Sequence, residues 1–240
     1  MMKRVLKKEC AIIESQDLIR EEQQRMGYVQ LLTAYQSLLN KHSELAKIDD
    51  NSQGKRFDAN SEIENKKKQL YKISVTDYLT GCYNRYYILE ALEIEFLRSE
   101  RYLSCVSCIL INIDDFKSIN MRYGPQVGDF ALKTIAEMIQ SSIREVDIFG
   151  RYSGEEFLVI LPNTRVYDAA IVAEKIRKNI AQLKFETGSA EVGSFLLTLS
   201  LGVSDIHSGD PKTAEELLCH VAKALCQAKR NNKNQYVIYS

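Results

Sequence analysis

The chain has 240 residues, with 32 Lys and Arg balanced by 32 Asp and Glu, so its formal net charge is zero. A neutral chain lacks the positive field that draws proteins to nucleic acids or anionic membranes, so any phosphate binding must come from a local site. Hydrophobic residues make up 45% of the sequence and there are only three Pro, which favours a substantial core over long disordered linkers. The length fits either one large domain or one domain of about 150–170 residues plus an appendage.

Residues 1–74 have the pattern of a helical region. Apolar residues recur at spacings of three and four over 3–47, and leucines continue at sevens over 31–45. The polar run 49–54 predicts a loop, and 61–73 predicts a second, shorter helix. We expect a coiled coil or helix hairpin that mediates dimerisation or binds a partner protein; the alternative is an antenna that packs on its own domain.

From residue 75 onward, helix and strand patterns alternate. The predicted elements are a helix over 86–103, a buried strand over 105–113, a loop with Gly124, Pro125 and Gly128, a helix over 130–142, a hairpin with strands over 148–152 and 157–161, a helix over 167–183, a strand over 195–203, a helix over 214–230 and a strand over 235–239. This order predicts an α+β domain with helices packed on one central sheet. No G-x-G-x-x-G or Walker sequence is present, which disfavours a Rossmann or P-loop nucleotide site.

Six scattered cysteines and the absence of a long apolar run bear on the compartment. Cys105 and Cys108 lie in a strand-like run, where positions i and i+3 face opposite sides, and only three His occur, so a zinc site is disfavoured. We interpret the cysteines as small buried hydrophobes in a reducing compartment. No segment has the pattern of a signal peptide or reaches the ~20 apolar residues of a membrane span, so a soluble, cytoplasmic protein is expected.

The predicted hairpin carries two adjacent carboxylates. Its turn at Ser153-Gly154 offers a glycine for positive φ, and Glu155 and Glu156 follow directly. Carboxylate oxygens are the ligands that a hard cation such as Mg²⁺ prefers, and Mg²⁺ often shares them with substrate phosphates. Taken alone, the segment fits a cation site or an acidic turn that serves solubility.

Residues 75–240 contain five motifs: DYLTGCYNR at 77–85, IDDFKSIN at 113–120 with Gly124 and Gly128-Asp129 beyond it, SGEEF at 153–157, TLSLGV at 198–203 and ALCQAK at 224–229. In order and spacing they resemble the motifs of the GGDEF-domain diguanylate cyclases. The resemblance implies a palm-like sheet of the nucleotidyl cyclase type. It also implies a homodimer that joins two GTP into cyclic di-GMP, with one GTP in each active site.

The resemblance implies a Mg²⁺- or Mn²⁺-dependent site at the hairpin. Glu155 is the implied metal ligand, together with Ile113, Asn112 and Asp114 of the preceding strand. Glu156 is its acidic neighbour, which assists deprotonation or metal binding. Metal ions serve phosphodiester formation because they neutralise the triphosphate and lower the pKa of the attacking 3′-hydroxyl.

Contacts with GTP are implied for seven residues, from the base to the phosphates: Asn120, Asp129, Asp115, Phe116, Lys117, Lys229 and Lys233. Asp129 would accept from guanine N1–H and N2–H₂, a donor pair that adenine lacks, which favours GTP over ATP. The backbone of Asp115 and Phe116 would approach the triphosphate, and Lys229 would also serve catalysis. Lys233 stands where the family often has Arg, which keeps the charge and loses the bidentate fork.

Arg144 and Asp147 form an R-x-x-D sequence nine residues ahead of Ser153. This resembles the family's product-inhibition site, where an Arg binds cyclic di-GMP. A salt bridge at the end of a helix is the alternative reading.

Asn112 is the most serious departure from the family pattern, because an Asp there supplies a metal carboxylate. An amide brings no negative charge, although Asp114, two residues on, would face the same way in a continuing strand and substitute in part. Ser153 in place of a glycine is a milder change. Two hypotheses follow: an active cyclase with product feedback inhibition, or a weak or inactive relative that acts as a cyclic di-GMP or GTP receptor or scaffold.

Overall fold

The computed structural model describes residues 75–186 and 193–239, together with position 37. The chain divides into two units, Met1–Ser74 and Val75–Ser240, and the following description concerns the second. The helical region predicted over 1–74, with its coiled coil or hairpin, therefore lies outside the described residues except at Ser37, which is helical.

The second unit contains helices packed on a central sheet. In chain order the elements are α1 (Arg85–Tyr102), β1 (Val106–Ile113), α2 (Phe116–Tyr123), α3 (Pro125–Ser142), β2 (Ile148–Ser153), β3 (Glu156–Pro162), α4 (Val166–Gln182), β4 (Lys184–Glu186), β5 (Ser194–Leu196), β6 (Leu199–Asp205), α5 (Ala214–Arg230) and β7 (Tyr236–Ile238). The central sheet has the strand order β2-β3-β1-β6-β7, and β4 pairs with β5 separately. Pairing in the central sheet is antiparallel except for β6 with β7. The predicted α+β architecture is confirmed.

β1 is the centre of the core, and all eight of its residues are buried. Ile109 and Ile111 face the cluster formed with α3 and α4, whereas Cys108 and Leu110 face the cluster formed with α1 and α5. A strand covered by helices on both faces has a continuous apolar sequence, which is why its prediction succeeded. The expectation of buried cysteines holds for Cys108 but is wrong for Cys219 and Cys226 of α5, which are exposed.

α2 and the start of α3 differ from the prediction. Residues 116–123 form an unpredicted helix, and α3 begins at Pro125 instead of residue 130. Gly124, with φ of 84°, separates the two helices, and Pro is well suited to the first position of a helix. Gly128 lies inside α3 at a position where a Cβ would be 1.9 Å from Oδ1 of Asn120. The glycine therefore serves the close approach of α2 and α3.

The strand predicted over 195–203 is two strands, β5 and β6, which belong to different sheets. β6 packs closely against α5, as Gly202 shows: a Cβ there would be 2.1 Å from the carbonyl oxygen of Val221. This close packing brings the end of α5, with Lys229, to the edge of the sheet where β1 ends.

The hairpin forms as predicted, with its turn one residue later. β2 ends at Ser153, β3 begins at Glu156, and the pairing shifts between Arg151 and Ser153. Gly154 does not have a positive φ, contrary to the prediction, and neither does Ser153. Serine is therefore accommodated at this turn without backbone strain.

Candidate functional site

The end of β1 and the start of β3 bring the predicted catalytic residues together. Asn112 is directly opposite Glu156 in the antiparallel ladder, and the N–H of Ile113 donates to the carbonyl of Glu155 at 3.2 Å. Asn112 is buried, and both glutamates are partly buried. The sequence prediction that these four residues form one site is therefore compatible with their positions.

Glu156 connects β1 with α5. Its Oε1 accepts a hydrogen bond from Nδ2 of Asn112 at 3.3 Å and lies 3.7 Å from Nζ of Lys229. An aspartate at position 112 could not donate this hydrogen bond and would place a second negative charge beside Glu156. Asn112 thus adds a neutral hydrogen-bond donor to Glu156, beside the ammonium of Lys229.

Asp114 has a different environment from the one predicted. β1 ends at Ile113, and the Asp114 side chain is 5% exposed. Its carboxylate accepts hydrogen bonds from the hydroxyls of Thr198 at 2.7 Å and Ser200 at 2.6 Å, and from the N–H of Asn234 at 3.1 Å. Both of its oxygens are therefore engaged by protein donors, which argues against the expectation that Asp114 substitutes in part for a metal ligand.

Asp115 and Lys233 form an ion pair at the start of α2. Nζ of Lys233 lies 2.7 Å from Oδ1 of Asp115, and this hydrogen bond raises the pKa of Lys233 above its usual value. Lys117, the second residue of α2, is exposed, while the Phe116 ring is buried in the core, so only the backbone of Phe116 is available to a ligand. Two lysines therefore flank the N-terminus of α2.

The two predicted base-reading residues lie on adjoining helices. Asn120 of α2 packs directly against Gly128 of α3, and Asp129 follows Gly128 with an exposed side chain. The amide and carboxylate are thus within one surface region, as the prediction requires.

The oxygen donors around Glu155 fit a hard cation that shares ligands with a substrate. Carboxylate, carbonyl and amide oxygens are available from Glu155, Ile113 and Asn112, and oxygen is the donor type that Mg²⁺ prefers. In the described part of the chain, however, no three His, Cys, Asp or Glu side chains are grouped to hold a metal ion. The charge of the protein ligands is low, so phosphate oxygens would have to contribute.

Arg144 and Asp147 have unequal environments. Asp147 is buried, and its carboxylate accepts the backbone N–H of Arg144 at 2.8 Å, whereas the Arg144 side chain is exposed. The contact closes a turn between α3 and β2 and is not the salt bridge considered as the alternative. Val146, between them, lines a cavity of about 440 Å³ to which Arg98 also contributes. Sequence reasoning did not identify Arg98.

A second contact missed in the sequence connects the first motif with the hairpin. Arg151 of β2 forms an ion pair with Asp77 at 3.2 Å, and it donates from Nε and Nη2 to the carbonyl of Gly154 at 2.9 and 2.7 Å. Asp77 also accepts from the N–H and hydroxyl of Thr80. Both the first motif and the hairpin are recognisable in the sequence, but nothing in their spacing predicts that they touch.

Comparison with known proteins identifies the family. The family model described as "Diguanylate cyclase, GGDEF domain" matches residues 74–235. The chain therefore belongs to the GGDEF-domain family of diguanylate cyclases.

Individual relatives agree with this assignment. The chain is 37% identical over 173 residues to a diguanylate cyclase from Vibrio cholerae, covering 72% of this chain and 52% of the relative. It is 37% identical over 166 residues to the response regulator PleD from Caulobacter vibrioides, covering 69% and 36% respectively. The chain thus spans about half or less of the length of these two relatives.

Solved structures confirm the palm-like fold. The active GGEEF domain of a diguanylate cyclase from Vibrio cholerae is similar with a TM-score of 0.61 and 36% identity, covering 66% of this chain and 97% of that one. Diguanylate cyclase SiaD from Pseudomonas aeruginosa, solved with its activator SiaC, has a TM-score of 0.65 and 30% identity, covering 99% and 88%. The GGDEF domain of DgcB from Caulobacter crescentus, solved with c-di-GMP, has a TM-score of 0.65 at 23% identity, covering 69% and 96%, which shows the fold alone. Among the described helices, none is long and apolar enough to cross a membrane.

Proposed function

We propose that the chain is an active diguanylate cyclase that condenses two GTP into cyclic di-GMP and pyrophosphate, as a homodimer with one GTP in each active site. The observation that carries the proposal is the junction of β1 and β3, where Asn112, Glu155 and Glu156 meet Lys229 of α5. A carboxylate pair beside a lysine suits a reaction in which a triphosphate is held and a hydroxyl loses a proton.

Each side chain has a role that its surroundings support. Glu155, with the carbonyl of Ile113 and the amide oxygen of Asn112, would hold Mg²⁺ or Mn²⁺. The bound cation would neutralise phosphate charge and lower the pKa of the 3′-hydroxyl. Glu156, oriented by Asn112 and Lys229, is the second acidic group, which assists deprotonation of the hydroxyl.

The phosphates and the base would be bound by α2, α3 and α5. The backbone N–H groups of Asp115 and Phe116 at the start of α2 suit phosphate oxygens, since helix N-termini favour anions. Lys117, Lys229 and Lys233 would add positive charge, and Asn120 with Asp129 would select guanine. Asp114 is omitted from the proposed metal ligands because its oxygens accept hydrogen bonds from Thr198, Ser200 and Asn234.

Product feedback inhibition is proposed at Arg144 and Asp147. The buried Asp147 holds the turn and the Arg144 side chain is exposed, two residues before Val146, which lines a cavity together with Arg98. A guanidinium can form two parallel hydrogen bonds to a phosphate or to a guanine edge. This supports cyclic di-GMP as the ligand.

Residues 1–74 are proposed as a regulatory region that dimerises or binds a partner protein. The sequence supports this through its helical period and the leucines over 31–45. The SiaD structure, which contains an activator protein, covers 99% of this chain and makes an activator a reasonable kind of partner. Light scattering on the full chain and on its Leu38→Asp variant tests the dimer, because a charge in an apolar seam opposes association.

A second candidate function is a cyclic di-GMP or GTP receptor with little or no catalysis. The observation that favours it is the neutral amide of Asn112, which already hydrogen-bonds Glu156. In this case the site would retain nucleotide and lack the charge needed to hold catalytic metal.

One experiment separates these functions. The full chain is incubated with GTP and Mg²⁺ or Mn²⁺, and the products are separated by chromatography. Cyclic di-GMP from the unmodified chain, lost in Glu155→Gln and retained in the control Glu90→Gln on the exposed face of α1, would support the cyclase. Binding of nucleotide with no product, and product only from Asn112→Asp, would establish the receptor.

A further inference from the structure

The turn after α5 has an unusual backbone. Asn232, Lys233 and Asn234 have consecutive positive φ angles of 72°, 59° and 46°. L-residues other than glycine disfavour this left-handed region, although Asn tolerates it better than most. Such conformations persist only when neighbouring groups hold them, and they occur most often at functional sites. The contacts that hold this turn are therefore informative.

Asp114 holds the turn from the side of the sheet. Its Oδ2 accepts the N–H of Asn234 at 3.1 Å, and the hydroxyls of Thr198 and Ser200 fix the carboxylate in place. A buried carboxylate needs hydrogen bonds to offset its lost hydration, and these three donors supply them. Asp114 thus ties the turn to β6.

Arg177 holds the turn from the side of α4. Its Nη1 donates to Oδ1 of Asn234 at 2.7 Å, while Nε lies 2.7 Å from Oε2 of Glu174. This ion pair lowers the pKa of Glu174 and raises the pKa of Arg177, so both are charged at neutral pH. The two sides of Asn234, its N–H and its side chain, are therefore bound by different elements.

The turn directs Lys233 toward the start of α2. The N–H of Lys233 donates to the carbonyl of Ala228, and Nζ contacts Asp115, the residue next to Asp114. We propose that Asp114 and Arg177 are positioning residues that hold the strained turn 232–234, so that Lys233 stands where the triphosphate binds. The geometry comes from these contacts, and the identity of the ligand rests on the proposed function.

A purely structural turn predicts a different behaviour. If the turn only reverses the chain between α5 and β7, loosening it lowers stability without distinguishing between nucleotides. If it positions Lys233, loosening it weakens the binding of a triphosphate more than that of a monophosphate, because only the former reaches the lysine.

The test compares two variants that each remove a partner of Glu174. Arg177→Met loses the contact to Asn234, whereas the control Lys178→Met loses an ion pair to Glu174 at 3.3 Å and does not touch the turn. Calorimetry with Mg²⁺ gives the affinity of the full chain for 3′-deoxy-GTP, which lacks the reacting hydroxyl, and for GMP. We expect Arg177→Met to weaken 3′-deoxy-GTP binding about fivefold or more and to leave GMP unchanged, while Lys178→Met changes neither.

A double-mutant cycle shows whether Arg177 acts through Lys233. In a Lys233→Met background, Arg177→Met should cause no further loss of 3′-deoxy-GTP affinity, because the group that it positions is absent. Equal losses for both nucleotides, full additivity, or unchanged 3′-deoxy-GTP affinity in Lys233→Met would overturn the inference while leaving the cyclase proposal intact. An unmodified chain that binds neither nucleotide would overturn both.

Discussion

Arg151 joins Asp77 to the carbonyl of Gly154 through one guanidinium group. Asp77 and Arg151 are 74 positions apart, and both side chains are only 16% exposed. The planar guanidinium can bind a carboxylate and a carbonyl at the same time, which the single ammonium of lysine cannot do in the same geometry. The contact therefore fixes the position of Gly154, the residue directly before Glu155 in the hairpin turn.

Arg151→Lys is expected to lower the cyclase rate by up to about 100-fold, since small displacements of catalytic groups have effects of this size. The reason is loss of the fork that connects Asp77 with Gly154. Initial rates of cyclic di-GMP formation and thermal unfolding check this, with exposed Arg165→Lys as the control. A rate equal to that of the unmodified chain would show that the hairpin keeps its position without the contact.

Asn112→Asp should exchange a hydrogen bond for metal affinity. The variant loses the Nδ2 donor to Glu156 and places two carboxylates side by side. Without divalent cations we expect a lower unfolding temperature, and with Mn²⁺ we expect at least about tenfold tighter binding than in the unmodified chain. Titration of Mn²⁺ by electron paramagnetic resonance, with and without 3′-deoxy-GTP, measures the second effect.

The control for this substitution is Asn179→Asp, which adds the same charge on α4, where Asn179 contacts Ser142. Equal Mn²⁺ affinities for the two variants would contradict the assignment of Asn112 to the metal site.

Gly128→Ala and Gly154→Ala form a matched pair. A Cβ at Gly128 would lie 1.9 Å from Oδ1 of Asn120, whereas a Cβ at Gly154 meets no atom within 4 Å. We expect Gly128→Ala to displace Asn120 and weaken GMP binding about tenfold, through loss of base contacts of roughly 1–3 kcal/mol. Gly154→Ala should bind GMP like the unmodified chain. Calorimetry decides the matter, and equal affinities for the two variants would argue against Asn120 as a base contact.

Arg144→Ala should remove cyclic di-GMP binding at the inhibitory site and leave the initial rate of synthesis unchanged. Arg144 is exposed, so its loss does not disturb the fold, whereas Asp147 accepts a backbone hydrogen bond and its substitution would open the turn. The measurement is inhibition of synthesis by added cyclic di-GMP. Glu145→Ala, one residue along the same exposed turn, is the control. Persistent inhibition in Arg144→Ala would assign the inhibitory site elsewhere.

The cysteines should differ in their reactivity toward iodoacetamide at pH 8. Burial raises the pKa of Cys82 to about 11, and it also raises the pKa of Cys108, so their thiols stay protonated in the folded protein. The thiolate is the reactive form, and the exposed Cys219 and Cys226 should therefore be modified first. Mass spectrometry of tryptic peptides gives the order.

Because the folded-state pKa of Cys82 is raised, its contribution to stability is present below pH 9 and is lost as the pH rises toward 11.

Local sequence patterns were sufficient for the long elements. β1, α4 and α5 each bury a regular pattern of apolar residues in the core, and that pattern can be read directly from the sequence. α2 was missed because its eight residues are too few for a helical period to stand out. Gly128 was assigned to a loop because a glycine in mid-helix is ordinarily unfavourable; the side chain that requires it, Asn120, belongs to another helix.

The sequence by itself determined the family, the α+β fold and the residue types at the candidate nucleotide site, because motif order and hydrophobic period are properties of the chain alone. Only the tertiary structure decided that the Asp114 carboxylate accepts hydrogen bonds from Thr198, Ser200 and Asn234, and that Asp77 reaches the hairpin through Arg151. Asp114 and Asn234 are 120 positions apart. The partner of a buried carboxylate is chosen by the packing of distant elements, and no local pattern records that choice.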